Sequence, residues 1–79
     1  MYVTLDSRHK LAYIGLTAQP DVQVAESIAL YEWADDAAVD AMHHLVLDFD
    51  GSGRLVGIEV PGRAHQVLPA DLLAEAKRI

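Results

Sequence analysis

The stretch from Leu45 to Val60 constrains the fold of this chain most. Leu45-Val46-Leu47-Asp48-Phe49 and Arg54-Leu55-Val56-Gly57-Ile58-Glu59-Val60 flank the tetrapeptide Asp50-Gly51-Ser52-Gly53. Asp-Gly and a second glycine supply the positive-φ positions of a tight turn, and the branched residues on either side favour extended backbone, so the stretch predicts a β-hairpin.

Upstream, Val3-Thr4-Leu5-Asp6 alternates apolar with polar, as a half-buried strand does, and Ser7 to Lys10 reads as a turn. Leu11 to Thr17 is rich in branched and aromatic residues and pairs with the first run as a second hairpin. Ala18-Gln19-Pro20-Asp21 interrupts, because proline fixes its own φ and biases Gln19 away from helix. A long third strand is predicted over Val22 to Trp33, with Val22, Val24, Ile28 and Leu30 beside Glu26 and Glu32 on one face, and Ala25, Ala29, Tyr31 and Trp33 on the other. Asp35-Asp36 and the alanines that follow predict a short helix or ordered loop up to Met42. Pro61-Gly62 closes the sheet. From Pro69 to Arg78 acid comes early and base late, which predicts a helix of about ten residues that must dock Leu72, Leu73 and Ala76 on the sheet to be stable. The expected fold class is α+β: a small, mostly antiparallel sheet of about five strands in hairpins or a meander, with a short C-terminal helix.

With 79 residues there is room for one core, so residues 1–79 are read as a single domain. Cysteine is absent, which leaves no disulfide framework, thiolate zinc site or thiol nucleophile. Twelve Asp and Glu against six Lys and Arg give a net charge of −6, which repels phosphate backbones and argues against nucleic acid as a partner. No run approaches the ~20 apolar residues that span a bilayer. Met1 to Asp6 lacks the basic start and apolar stretch of a secretory leader, and a cytoplasmic location is expected.

Leu11-Ala12-Tyr13-Ile14-Gly15-Leu16 and the hairpin Leu45 to Val60 together resemble the bacterial family known as domain of unknown function 2283. Its members open with a strand ending in Asp, continue with a Leu-Tyr-Ile strand, and carry Asp-x-Asp and Gly-x-Leu-Val-Gly-Ile-Glu. Asp6, Tyr13, Ile14, Asp48, Asp50, Gly53 and Leu55 to Glu59 fit that pattern, whereas Lys10, the segment Asp35 to Met42 and Pro61 depart from it. The resemblance implies a small antiparallel β domain in a bacterial cytoplasm. It implies no activity, substrate or catalytic residue.

Few residues suggest chemistry. Asp48, Asp50, Ser52 and Glu59 stand at the first, third, fifth and twelfth positions of a calcium-loop pattern, yet strands and Pro61-Gly62 stand where flanking helices belong. A hairpin turn accounts for the same residues, so a divalent-metal or small-ligand site there is the alternative reading. His43-His44 would point to opposite sides of a strand and cannot share a metal from it, and neither is tied by sequence to His9 or His65. Glu26, Glu32 and Glu59 lie in apolar runs, where burial raises a carboxyl pKa; for Glu59 a cross-strand pair with Tyr13 or Arg54 is the plainer expectation. The serines lie in no nucleophile or phosphate-loop motif. No cofactor is called for, and an enzyme has no residues to stand on. Apolar residues fill both sides of the expected strands, more than one short helix covers. The expectation is a non-catalytic structural or protein-interaction module, a homodimer whose interface candidates are Leu30, Tyr31, Trp33 and Phe49, with a protein partner meeting its acidic rim.

Overall fold

The computed structural model describes residues 1–18, 23–32 and 43–79; Trp33 and the expected helix or loop up to Met42 lie outside the described residues. The strands are β1 (Tyr2–Asp6), β2 (Leu11–Gly15), β3 (Glu26–Ala29), β4 (Val46–Phe49), β5 (Leu55–Val60) and β6 (Lys77–Arg78), with helices α1 (Ala64–Val67) and α2 (Ala70–Ala74) between β5 and β6. They form a single six-stranded sheet in the order β3-β4-β5-β2-β1-β6. All neighbours are antiparallel except β1 and β6, which run parallel, so the α+β class holds while the sheet is mixed.

Both expected hairpins form. The first is closed by the turn Ser7–Lys10, with Leu5 opposite Ala12 and Val3 opposite Ile14. In the second, Asp50 N–H donates to the Arg54 carbonyl at 3.0 Å and Gly53, at φ +83°, donates to the Asp50 carbonyl at 3.0 Å. A side chain at that φ is disfavoured, which is why glycine stands there.

Two expectations are corrected. The third strand is four residues, because β4 offers only Val46 to Phe49 to pair with Ala29 to Glu26. After Ala29, Leu30 N–H donates to the Leu45 carbonyl at 3.0 Å and the chain turns through a 3₁₀ segment, Leu30–Glu32. The C-terminal helix is two short helices. Pro69 disfavours helical backbone at Leu68, whose ψ is 147°, so α1 ends there and α2 starts afresh after Pro69. α2 stops at Ala74 because the open edge of β1 takes the remaining chain: Lys77 and Arg78 pair with Thr4 and Leu5, and Ile79 N–H donates to the Leu5 carbonyl at 3.1 Å.

Pairing register sorts the side chains into two faces. On one, Leu5, Ala12 and Val60 lie in a row across β1, β2 and β5 and are fully buried beneath Ala64, Leu73 and Ala76 of the helical segment. Burying Leu5 or Val60 is worth roughly 1.5–3 kcal/mol each. One step along the strands, Val3, Ile14, Ile58, Leu47 and Ile28 form an apolar row across five strands, and all five are only half-buried. The other face carries a different row, described next.

Candidate functional site

The face away from the helices gathers Tyr2, Tyr13, Ser27, Asp48 and Glu59. Ser27 faces Asp48 across β3 and β4, Asp48 faces Gly57 across β4 and β5, and Glu59 lies between Val46 on one side and Tyr13 on the other. A β-bulge makes this grouping. Phe49 pairs with Leu55 but Asp48 pairs with Gly57, so β5 contributes one extra residue between them. Without that shift Asp48 would oppose Val56, and Glu59 would project from the opposite face.

Two glycines make room for the aromatic rings. A Cβ at Gly57 would overlap the Tyr13 phenol, and one at Gly15 would overlap the Tyr2 ring. Both tyrosines therefore lie down along the sheet, their ring centroids 6.1 Å apart and the planes tilted by 41°. Under this cover Asp48 is 2% exposed, the only charged residue type in the core of the described residues.

Asp48 is not left unsatisfied. Ser27 Oγ donates to Asp48 Oδ1 at 2.7 Å, and no buried side-chain oxygen or nitrogen among the described residues lacks a partner. Burial raises the Glu59 carboxyl to about 7, helped by its hydrogen bond to Asp48 and by the Asp48 charge. A protonated Glu59 can donate to the Asp48 carboxylate, whereas two bare carboxylates in this position repel. Tyr13 is raised too, first by burial, then by the charges of Asp48, Tyr2 and Glu59 and by its hydrogen bond with Asp48. Of the two cross-strand neighbours that the sequence offers Glu59, Tyr13 and Arg54, the register places Tyr13 opposite it. The buried Asp48 beside it was not expected. Its only trace in the sequence is an acid in the middle of an apolar strand.

Chemically, burial brings the titration of the Glu59 carboxyl close to neutral pH. A group so poised suits acid–base work, but only where a substrate can reach it. Among the described residues, cavities lie near Lys10 and Arg63, near Phe49 and Gly53, and beside Tyr2 and Lys77, and none of these is lined by Asp48 or Glu59.

The calcium-loop residues are divided between two places. Asp50 Oδ1 accepts from Ser52 N–H at 2.9 Å, Ser52 Oγ at 3.1 Å and Arg54 N–H at 3.0 Å. These bonds, that from Arg54 foremost, hold its carboxyl below the usual range. Asp50 and Ser52 thus build the turn, while Asp48 and Glu59 engage each other on the sheet. Among the described residues no three His, Asp or Glu side chains come together as a metal-binding group. His9 Nδ1 lies 2.7 Å from Asp6 Oδ2, which lowers the Asp6 pKa; His43 and His44 sit half-buried in a short 3₁₀ turn and His65 is exposed on α1. Of the interface candidates, Tyr31 is 62% exposed and Leu30 and Phe49 are half-buried.

Fold and site together define a small α+β domain with helices on one sheet face and the hydrogen-bonded carboxyls of Asp48 and Glu59 on the other. No family model matches the chain, and neither a curated protein nor a solved structure does. No helix among the described residues is long and apolar enough to cross a membrane.

Proposed function

We propose that this chain is a non-catalytic protein-interaction module that acts as a homodimer. The observation that carries the reading is the half-buried row Val3, Ile14, Ile58, Leu47 and Ile28: Val3 packs against the helix-covered core, and the other four continue that face along the sheet away from it. Four strand spacings make such a row roughly 20 Å wide. The half-buried Phe49 follows Leu47 on the same face of β4, and Leu16 and Val24, just outside β2 and β3, are 40% exposed each. A second copy of the same face, stacked against it, would exclude water from this row. It would also supply the burial that a single core of this size lacks. The resemblance of Leu11 to Leu16 and Leu45 to Val60 to a bacterial family of unknown function belongs to the same reading and brings no activity with it.

Sedimentation equilibrium from micromolar to millimolar chain concentration tests the proposal. A dimer that Ile28→Lys dissociates, with the far-UV spectrum unchanged, is the expected result. A monomer throughout that range would refute it.

A divalent-metal site on Asp48, Asp50, Ser52 and Glu59 has weaker support, since the turn amides and the carboxyl pair already use those oxygens. Calcium would then leave the melting temperature unmoved, because only a ligand that prefers the folded state raises it.

A further inference from the structure

At the end of the sheet where the β1–β2 turn meets α1, a cavity of about 420 Å³ is lined by Lys10, Gly62, Arg63, His65 and Gln66. Its walls come from two distant parts of the chain that the fold ties together. Ala64 N–H donates to the Lys10 carbonyl at 3.1 Å, and Lys10 and Gly62 both hold positive φ, +54° and +76°. For lysine that conformation is uncommon, so the turn carries its basic side chain at some conformational cost.

The charge here opposes that of the whole molecule. The chain as a whole is at −6, yet every ionisable side chain lining this cavity is basic. Arg63 Nη1 donates to the neutral Gln66 Oε1 at 3.0 Å, and that bond neutralises nothing. Among the described residues the one ion pair is His9 with Asp6, so no carboxylate lies within salt-bridge distance of Lys10, Arg63 or His65. The nearby acid in the turn, Asp6, is thus already engaged by His9 and by the Arg8 and His9 amides.

We propose that this cavity binds a small phosphate monoester, its dianionic head held by Lys10, Arg63 and His65. Three separate donors suit three phosphate oxygens better than they suit the two oxygens of a planar carboxylate, and a guanidinium adds a fork of parallel N–H groups. The volume falls within the range of small-ligand sites, about 300–1,000 Å³, which leaves space for an organic group behind the head. The acidic remainder of the surface disfavours long polyanions such as nucleic acid, so the ligand class is a compact one.

The probes are inorganic phosphate and glycerol 3-phosphate, titrated into isotopically labelled full-length chain at pH 7.5 and fixed ionic strength, with acetate as the planar control. Fixed ionic strength matters because exposed charges respond to salt itself. The expected result is a saturable movement of the Lys10, Gly62, Arg63 and His65 resonances, half-complete below about 10 mM phosphate. Affinity should fall at least fivefold in the double variant Lys10→Asn, Arg63→Gln. Asparagine is chosen because it tolerates positive φ, so the turn is kept while the charge is lost. Should that variant fail to fold, Arg63→Gln alone serves. Movement that grows linearly without saturating, an equal response to acetate, or unchanged affinity in the variant would each overturn the proposal.

Discussion

Replacing Glu59 by glutamine should make this protein more stable at pH 8 and remove most of its stability change between pH 5 and pH 8. The folded chain holds the Glu59 carboxyl at about 7, against an ordinary value of 4.5, mainly through burial and then through Asp48. A pKa raised by folding means that the folded state binds the extra proton. The stabilisation is therefore complete below about 4.5 and is lost as pH rises through about 7. A difference of that size corresponds to about 3 kcal/mol at most. Glu59 is only partly buried, and solvent screening reduces the figure to roughly 1–2 kcal/mol. Glutamine donates an N–H to Asp48 at every pH, as the protonated acid does, but has no proton to lose. In a domain of this size 1 kcal/mol moves the melting temperature by roughly 4–8 °C. Thermal melts at pH 5 and pH 8 should accordingly show the wild type falling by roughly 5–15 °C and Glu59→Gln staying nearly level. Below pH 4 both proteins should weaken together, since Asp6 and Asp50 have lowered pKa values and lose their turn hydrogen bonds on protonation. If the wild type melts at the same temperature at pH 5 and pH 8, or the variant keeps the wild-type slope, Glu59 does not hold its proton to neutral pH as argued.

Gly57→Ala should destabilise by roughly 1–3 kcal/mol, because its Cβ displaces the Tyr13 phenol from over the strand, and chemical denaturation would show it. The double change Gly57→Ala, Tyr13→Ala should cost less than the sum of the two singles, and strict additivity would contradict the contact. Ser27→Ala removes the 2.7 Å donor to the buried Asp48 and should cost about 1–3 kcal/mol in urea unfolding; a loss under half a kcal/mol would mean that Tyr13 and Glu59 satisfy Asp48 without it.

The part of the fold that could be read in advance is local. Asp50 and Gly53 encode their turn, the first through its carboxylate and the second through its positive φ, whereas Gly51 does not take the positive φ expected of it; the alternation in Val3 to Asp6 and Leu11 to Gly15 encodes strands by the side each residue must bury. The errors fall where the deciding partner is distant. The Val22 to Trp33 stretch was long enough for a strand, but strand length is set by hydrogen-bonding partners, and β4 had only four residues to give. The Pro69 to Arg78 pattern suited a helix, yet β1 offered an unpaired edge that Lys77 and Arg78 satisfied instead.

The site divides in the same way. The sequence by itself determined that Glu59 sits in a strand with Tyr13 as a candidate neighbour, and that Asp50 serves a turn. Only the tertiary structure decided that Asp48 and Glu59 meet. One extra residue between Leu55 and Gly57 rephases the hairpin, and a single-residue phase change moves a side chain from one face of a sheet to the other. Likewise, Lys10 and Arg63 come to one cavity only because a backbone hydrogen bond from Ala64 to Lys10 joins chain segments 54 positions apart. Turn chemistry acts over a few residues and is written where it acts, whereas pairing register is a balance of the whole sheet.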